Sequence, residues 1–253
     1  MQNQNKSQLI SQPLSSEPNN QPTNQPASFV VDLGGSVAIP EKGPDATLLK
    51  KFYKEIIFHV KKGKKFIIVI GGGNLCRAYQ KVAKKISQPE AEDLDWVGIK
   101  STHLNAELLR ACFAEIAFPK VITERFQARS FEKYSVIVAG GFLPGASTDF
   151  VSAQLAVDFQ IKQVIALGKP AYVYTANPEK SKKAKPIKNM TWEDYFKLIP
   201  KEWKPGAKIP IDQKAAQLSK ERGLSFVVAN GKSMANFRKI LENQPFKGTE
   251  ING

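Results

Sequence analysis

The stretch from Phe66 to Arg77 constrains this chain more than any other part of the sequence. Residues 66–70 are five consecutive apolar residues rich in Ile and Val, and three glycines and an amphipathic pattern follow them. Such a run predicts a strand buried on both faces, and the pattern after it predicts a helix. Glycines between the two let a ligand approach closely and leave amides at the helix N-terminus, where anions are favoured. The stretch therefore predicts a phosphate-binding turn, with a tight turn that binds nothing as the alternative.

Two further strand-like runs also end at paired glycines. One begins at Phe29 and ends before residues 34–35, and the other, residues 135–139, ends before residues 140–141. Strands alternate with helical patterns along the chain, which predicts an α/β fold with a mostly parallel sheet covered on both faces. Ligands of such sheets bind at the C-terminal ends of the strands. Three glycine turns at that edge predict three anion-facing backbone clusters and a site for two phosphorylated ligands placed end to end.

The N-terminal segment differs in composition from the remainder of the chain. Residues 1–28 consist mostly of Gln, Asn, Pro and Ser, with Lys6 and Glu17 as the charged side chains. Such a segment cannot bury enough apolar surface to offset its ordering entropy, so a disordered tail is predicted. Residues 29–253 show neither an internal repeat nor a second core, and a single domain is predicted for them.

The charge balance of the chain is strongly basic. Lys and Arg number 37 against 23 Asp and Glu, for a formal net charge of +14. That surplus attracts nucleic acids or phosphorylated substrates. The lysines are scattered or lie at predicted helix ends and are not interleaved with aromatic residues, so the pattern favours small anionic ligands over nucleic acid.

Hydropathy and cysteine content indicate the compartment. No apolar run approaches the roughly 20 residues that a membrane helix needs, and the N-terminus lacks the pattern of a secretory signal. The two cysteines, Cys76 and Cys112, both lie in predicted helices, which is typical of a reducing cytoplasm rather than a disulfide framework.

A long helical pattern is predicted from Ser101 to Ala117, after a polar loop at residues 88–93. It places Leu104 and Leu108 on one face. Short strands are predicted beyond it, at residues 121–123 and 171–174. His103 and Glu107 are four residues apart in this helix, but no third ligand is spaced to join them in a metal site.

Several catalytic motifs are absent from the sequence. No Gly-Lys-Ser or Gly-Lys-Thr follows a glycine run as in a Walker P-loop, and no G-x-S-x-G nucleophile motif or Cys/His cluster is present. His59, in the last turn of a predicted helix, is interpreted as serving helix electrostatics rather than catalysis. Phosphoryl transfer needs mainly positioning and charge neutralisation. Glycine amides with Lys and Arg suit that chemistry.

An ordered set of motifs makes the function more specific. The runs VDLGGS, IGGGNLCR, DWVGIKSTHLNAELLRA, AGGFLPGASTD, VYTANPEK and FKGTEI occur in this order between Phe29 and Ile251. Together they resemble the archaeal-type uridylate kinases of the amino acid kinase family. The resemblance implies a three-layer αβα fold, usually assembled as a homohexamer. It also implies conversion of UMP and ATP to UDP and ADP with Mg²⁺, in pyrimidine nucleotide biosynthesis.

The resemblance also implies roles for individual residues, carried over motif by motif. Catalytic roles fall to Arg77 and Asp149. The residues implied on the ATP side are Asp32, Leu33, Gly34, Gly35, Ser36, Gly73, Arg77, Tyr174 and Asn177. The residues implied on the UMP side are Gly72, Asp95, Phe142, Leu143, Pro144, Gly145, Ala146, Ser147 and Thr148. No ligands for the magnesium ion are assigned.

The ATP-side segment departs from the family pattern. The acidic residue expected at Ala171 and the hydroxyl expected at Gly168 are missing, and Asn177 replaces an aspartate. Lys169 is a candidate cation for the phosphates in their place. A degenerate, non-catalytic nucleotide-binding or regulatory protein therefore stays open as an alternative. A kinase with a different phosphate acceptor is a third possibility, against which the ribose-binding carboxylate of Asp95 argues.

Overall fold

The computed structural model describes residues 27–200 and 209–253. Of the predicted disordered tail, residues 1–26 lie outside the described residues, as do residues 201–208 of the proline-bounded connection near the C-terminus. None of the helices in the described part of the chain combines the length and the apolar character needed to cross a membrane.

A seven-stranded sheet forms the centre of the molecule. In chain order the strands are β1 (Ser28–Leu33), β2 (Lys65–Ile70), β3 (Val136–Ala139), β4 (Gln163–Gly168), β5 (Val173–Tyr174), β6 (Pro186–Ile187), β7 (Asn189–Thr191), β8 (Ser225–Asn230) and β9 (Thr249–Asn252). The sheet order is β3-β2-β1-β4-β8-β9-β7, and β5 pairs with β6 in a separate two-stranded sheet. The first five strands of the large sheet are parallel, whereas β9 runs antiparallel to β8 and parallel to β7. The mostly parallel sheet predicted from the sequence is thereby confirmed.

Helices connect the strands and cover the sheet. They are α1 (Gly35–Ala38), α2 (Ala46–Val60), α3 (Gly73–Ile86), α4 (Ala91–Cys112), α5 (Thr148–Asp158), α6 (Trp192–Leu198), α7 (Gln213–Arg222) and α8 (Met234–Leu241). The side chains of Asp45, Ser147 and Asp212 cap the N-termini of α2, α5 and α7, as the preference of such residues for these positions leads one to expect.

The apolar side chains divide between the two faces of the sheet. Val30 of β1 joins one buried cluster with residues of α5, α6 and α7, and its neighbour Val31 joins another with residues of α2, α4 and α8. Successive strand residues point to opposite faces, so a sheet of continuous apolar strands needs cover on both sides. The three-layer αβα arrangement follows from this requirement.

The boundaries of α4 correct one prediction. The helix starts at Ala91, ten residues before the predicted start at Ser101, and ends at Cys112 rather than Ala117. Glu92 and Asp93 lie in its first turn, where negative charge is favoured. Gly98 of this helix packs so closely that an added Cβ would lie 3.2 Å from the sulfur of Cys76 on α3.

The exposed side of α4 corrects a second expectation. Leu104 and Leu108 are 63% and 38% exposed, although their spacing marks them as one apolar face. The buried side of the helix instead includes Thr102 and Asn105. Periodicity identified an apolar stripe correctly, but the stripe does not face the sheet of its own chain.

Two short strand predictions have different outcomes. Ile122 forms a bridge with Ala139 at the edge of the sheet, in line with the strand predicted at residues 121–123. Of residues 171–174, only β5 is a strand, and it pairs antiparallel with β6 outside the main sheet.

Candidate functional site

The first two glycine turns pack backbone against backbone. β1 and β2 are parallel neighbours, so the turns that follow Leu33 and Ile70 lie side by side. A Cβ added at Gly35 would lie 2.3 Å from the nitrogen of Gly73 and 2.6 Å from the carbonyl of Gly71. Only glycine fits there, and the N-termini of α1 and α3 are brought together as a result.

Four backbone amides at these turns have no hydrogen-bond acceptor in the described part of the chain. The N–H groups of Gly34 and Gly71 are used within the protein, donating to the carbonyls of Leu167 and Leu33 at 3.0 and 3.1 Å. Within residues 27–200 and 209–253, the amides of four other residues find no acceptor. These are Gly35, Ser36, Gly72 and Gly73. Unpaired amides at helix N-termini favour an anion such as a phosphate group.

The third glycine turn has a different role from the one predicted. The amide of Gly140 donates to the carbonyl of Ile122 at 3.1 Å, and that of Gly141 donates to Oγ1 of Thr102 at 2.7 Å. An imidazole nitrogen of His103 lies 2.7 Å from the carbonyl oxygen of Gly141. The turn is therefore satisfied by α4, and the prediction of three anion-facing clusters is wrong by one.

Two carboxyls occupy the centre of the site, Asp32 at the end of β1 and Asp149 in the first turn of α5. Asp32 is 3% exposed, and burial raises its pKa to about 6. Burial, followed by the adjacent Asp32 carboxyl, raises the pKa of Asp149 well above its usual range. Asp149, Thr148 and Ser152 surround Asp32, but its Oδ2 accepts no hydrogen bond within the described residues. A buried pair of this kind favours one proton held between two carboxyls.

A third acidic residue, Asp212, fixes the position of Asp149 through its backbone. The backbone N–H of Asp212 donates to Oδ2 of Asp149 at 3.0 Å. The Asp212 carboxylate itself accepts from the hydroxyl of Ser147 and from the first amides of α7. Ser147 also caps α5 by accepting from the N–H of Phe150 at 3.1 Å. The structure thus shows Ser147 as a helix cap.

One predicted UMP-side residue, Asp95, contacts the turn between β3 and α5. Oδ2 of Asp95 accepts from the N–H of Gly145 at 2.8 Å. Arg77 is exposed in the first turns of α3. Burial raises the pKa of the Cys76 thiol; the charge of Arg77 lowers this pKa and that of Asp95 raises it. Both charges therefore lie near the Cys76 sulfur. Asp95 and Arg77 thus lie near one another beside Cys76, and their assignment to the site stays a prediction.

Comparison with known proteins gives the family. The model of the amino acid kinase family matches residues 28–230. The chain belongs to the amino acid kinase family. Over 225 residues it is 33% identical to a uridylate kinase of Methanocorpusculum labreanum, covering 88% of this chain and 94% of that protein. It is 31% identical to a uridylate kinase of Pyrococcus abyssi over 224 residues, covering 88% and 98% of the two chains.

Solved structures agree with this assignment. The crystal structure of uridylate kinase from Archaeoglobus fulgidus superposes with a TM-score of 0.75 at 28% identity, covering 88% of this chain and 99% of that one. A UMP kinase from Bacillus anthracis has a TM-score of 0.71 at 21% identity, with 89% and 95% coverage, and shares the fold. The predicted resemblance and fold class of the amino acid kinase family are confirmed.

The C-terminal part of the segment that departs from the family pattern, with Tyr174 and Asn177, forms its contacts away from the first two glycine turns within the described residues. Tyr174 belongs to β5, with its ring 6.1 Å from that of Tyr172. Asn177 is exposed and starts a turn, in which its Oδ1 accepts from the N–H of Glu179 at 2.8 Å. Among the described residues, neither Tyr174 nor Asn177 hydrogen-bonds to the first two turns. Their assignment to the ATP side stays a prediction.

The backbone of Lys169 is anchored close to the first turn. Its carbonyl accepts from the side-chain amide of Asn230 at 3.0 Å, and the carbonyl of the preceding Gly168 accepts from the N–H of Gly231 at 2.9 Å. A Cβ on Gly34 would lie 3.4 Å from Cα of Gly168. Lys169 directly follows Gly168, which packs against Gly34 of the first turn. This position fits the predicted role of Lys169 as a cation for the phosphates.

Sequence reasoning missed the residues that hold the turns in place. The side-chain amide of Asn105 donates to the carbonyls of Gly71 and Gly72 at 3.0 and 3.2 Å, and Thr102 holds the third turn. Lys214 and Asp212 at the start of α7 hold the acceptor-side turn from the other direction. The sequence did contain a signal for these residues. Thr102 and Asn105 are polar residues three apart on a face of α4 that also carries buried apolar residues.

Proposed function

We propose that this protein is a UMP kinase that transfers the γ-phosphate of ATP to UMP and releases UDP and ADP. The observation that carries the proposal is the pair of adjacent glycine turns after β1 and β2, in which four amides find no acceptor within the described residues. Two anionic ligands fit such a site better than one. The relatives named uridylate kinase supply the nucleotide, and they do not favour the non-catalytic alternative.

The donor nucleotide is proposed to lie against the first turn. Gly34 and Gly35 permit close approach, and the amides of Gly35, Ser36 and Gly73 bind phosphate oxygens. Tyr174 and Asn177 are proposed to contact the adenine nucleotide from the β5–β6 hairpin. Asp32 and Leu33 complete the donor side at the end of β1.

The acceptor nucleotide is proposed to lie between Asp95 and the turn before α5. The Asp95 carboxylate binds the ribose hydroxyls, and the amide of Gly72 contacts the phosphate. The residues proposed to form the wall around UMP are Phe142, Leu143, Pro144, Gly145, Ala146, Ser147 and Thr148.

Catalysis in this proposal rests on positioning and on charge. A UMP phosphate oxygen attacks the γ-phosphorus in line, and the bond to the β–γ bridging oxygen breaks as ADP leaves. The guanidinium of Arg77 and the amides at the N-terminus of α3 stabilise charge on the transferred group. Asp149 holds its position through the N–H of Asp212 and borders the reacting phosphates.

Mg²⁺ accompanies ATP in this proposal. Among residues 27–200 and 209–253, no group of three or more His, Cys, Asp or Glu side chains is arranged to hold a metal ion. Mg²⁺ ordinarily keeps several waters and binds through substrate phosphates and one or two carboxylates. Asp32, with its unsatisfied Oδ2, and the adjacent Asp149 fit this smaller requirement. The ion would neutralise phosphate charge during transfer.

The assembly is proposed to be a homo-oligomer, a hexamer by resemblance, that works in pyrimidine biosynthesis in the cytoplasm. Apolar side chains on the outer surface of α3 and α4 support assembly: Tyr79 and Leu104 are each 63% exposed and Ile86 is 80% exposed. Both cysteines are free thiols, in keeping with a reducing compartment.

A coupled assay tests the proposed reaction. The purified protein is given ATP, Mg²⁺ and, in turn, UMP, CMP, AMP and GMP, and formation of ADP and the nucleoside diphosphate is measured. UMP is expected to be the best acceptor. Asp95→Ala is expected to raise the KM for UMP, and Arg77→Ala to lower kcat. Lys84→Ala, at the far end of α3, serves as the matched control, and absence of UDP from the wild-type reaction rejects the proposal.

A further inference from the structure

The turn proposed to hold the acceptor nucleotide is anchored through the N–H and the carbonyl of one residue, Gly145. Gly145 donates its N–H to Oδ2 of Asp95 at 2.8 Å, and its carbonyl accepts from Nζ of Lys214 at 2.7 Å. The φ of Gly145 is +72°, a conformation that favours glycine. Its peptide groups are therefore clamped between α4 on one side and α7 on the other.

The position of Lys214 in α7 is unfavourable for the helix itself. It is the second residue of the helix, where the positive end of the helix dipole repels a cation. Lys214 forms no ion pair within the described residues, whereas Lys220 on the same helix pairs with Glu193 at 2.7 Å. A lysine that opposes the local preference, and whose one ammonium hydrogen bond among the described residues goes to a carbonyl of the turn, points to a function outside the helix.

The two contacts respond differently when an acceptor binds. If ribose hydroxyls donate to the Asp95 carboxylate, they compete with the N–H of Gly145 for Oδ2. The hydrogen bond from Lys214 to the carbonyl of Gly145 does not involve the Asp95 carboxylate, so this competition leaves it unaffected. A hydrogen bond from a charged ammonium is stronger than a neutral one, so it can keep the turn in place while Asp95 changes partner.

We propose that Lys214 is a positioning residue for the acceptor nucleotide. It holds the Gly145 turn in place while Asp95 binds the ribose. This inference rests on the proposed function and adds a residue and a division of labour to it. Lys214 itself need not touch the reacting atoms. It acts through the carbonyl of Gly145, and its loss therefore affects binding of the acceptor rather than the donor.

Steady-state kinetics of Lys214→Met, Lys214→Arg and the control Lys220→Met test the role. Lys214→Met is expected to raise the KM for UMP roughly threefold to tenfold, the range of one net hydrogen bond. The KM for ATP and kcat are expected to change less than about twofold, because the donor site and the reacting groups are untouched. Lys214→Arg is expected to retain most of the wild-type affinity, since it keeps the charged donor.

Hydrogen exchange of the nucleotide-free protein provides a readout that does not depend on catalysis. Amides of residues 143–147 are expected to exchange faster in Lys214→Met than in the wild type or in Lys220→Met. Unchanged exchange and unchanged KM for UMP would overturn the role of Lys214. Equal rises in both KM values would overturn it as well, because they indicate a general structural defect. A wild-type protein that makes no UDP would instead reject the proposed UMP kinase activity, so this outcome is distinct from a failure of the Lys214 role.

Discussion

Asp32 shows how one residue serves the site at the expense of the fold. It ends a buried strand, it is 3% exposed, and it adjoins a second carboxyl, Asp149. A carboxylate buried without a cation is expensive for the folded state. Such a residue is retained where a ligand or its metal ion supplies the missing charge.

The pH dependence of stability follows from the raised pKa of Asp32. Its pKa is about 6 in the folded protein against 3.8 in the unfolded chain. Between these values the folded state binds more protons than the unfolded state, so stability falls as pH rises from 4 towards 6 and remains reduced above 6. Asp32→Asn removes this penalty. We expect it to be more stable at pH 7 by about 1–3 kcal/mol and less active as a kinase.

Urea unfolding of Asp32→Asn at pH 4.5, 6 and 8 measures this effect. The gain over the wild type should grow with pH, while the exposed control Asp93→Asn should show no such trend. A variant that loses stability at pH 8 would contradict the account of a buried, unpaired carboxyl.

The glycines of the turns differ in how far they tolerate a side chain. At Gly35 an added Cβ would lie 2.3 Å from a backbone nitrogen, whereas at Gly168 the nearest atom would be a proline carbon at 3.5 Å. We expect Gly35→Ala to destabilise the protein by more than about 4 kcal/mol or to prevent folding. Gly168→Ala should fold with a near-normal Tm. Thermal unfolding of both variants decides the matter, and a soluble Gly35→Ala of wild-type Tm would refute the close packing.

At the scale of elements, α4 organises the site. Three of its side chains hold three turns at the sheet edge: Asp95 holds the turn before α5, Thr102 the third glycine turn and Asn105 the second. A helix that starts at Ala91 places these side chains in one straight element. The sequence interpretation, which began the helix at Ser101, left Asp95 in a loop and could not connect it with the others.

The ends of α2 and α8 meet at a buried histidine. His59 is fully buried with Glu55 at 3.2 Å, and Arg238 of α8 binds both oxygens of Glu55 at 2.8 Å. Burial, with a smaller effect from Lys64, lowers the pKa of His59, and Glu55 opposes the shift. The neutral ring is therefore favoured in the folded protein. The interpretation of His59 as a charge that serves the helix dipole is wrong for this reason.

Protonation of His59 should destabilise the fold in acid. Because its pKa is lower in the folded state than the ordinary 6.5, the unfolded chain takes up a proton first, and stability falls as pH drops below about 6.5. Asp32 contributes with the opposite sign over an overlapping range. The test is therefore made in the Asp32→Asn background, where His59→Gln should flatten the loss of stability between pH 7 and 5. An unchanged slope would exclude His59 as its source.

At the scale of the whole molecule, an apolar face is left without cover by the described residues 27–200 and 209–253. The outer surfaces of α3 and α4 expose Tyr79, Ile86, Leu104 and Leu108, and cavities of about 450 and 420 Å³ lie among such side chains. Contiguous apolar surface of this kind is characteristic of protein interfaces. It is the natural contact for the proposed homo-oligomer.

Substitution on this face should reduce assembly. Sedimentation of the wild type is expected to give a multiple of the 28.0 kDa chain mass, six-fold for a hexamer. Leu104→Lys should shift the protein towards smaller species, because a charge in a desolvated interface is unfavourable. Leu198→Lys on α6, another exposed leucine, should leave the mass unchanged. A wild-type monomer would reject both the oligomer and this face as its contact.

The local sequence was sufficient for the framework. Apolar runs that end at glycines predicted β1, β2 and β3, because this signal depends on neighbouring residues in the chain. Motif order was sufficient for the family. The helical period also identified the apolar stripe of Leu104 and Leu108, but the period alone does not say whether a stripe meets its own core or another chain.

The tertiary structure decided which groups remain free for ligands. Four amides of the first two turns are unpaired, while those of Gly140 and Gly141 are taken by Ile122 and Thr102, residues distant in sequence. The proton favoured between the carboxyls of Asp32 and Asp149 likewise depends on elements that meet after folding, as does the hydrogen bond from Lys214 to Gly145. Hydrogen-bond partners and burial are set by contacts between remote segments. The sequence by itself thus determined that glycine turns line one edge of the sheet, and only packing determined which of them can hold a phosphate.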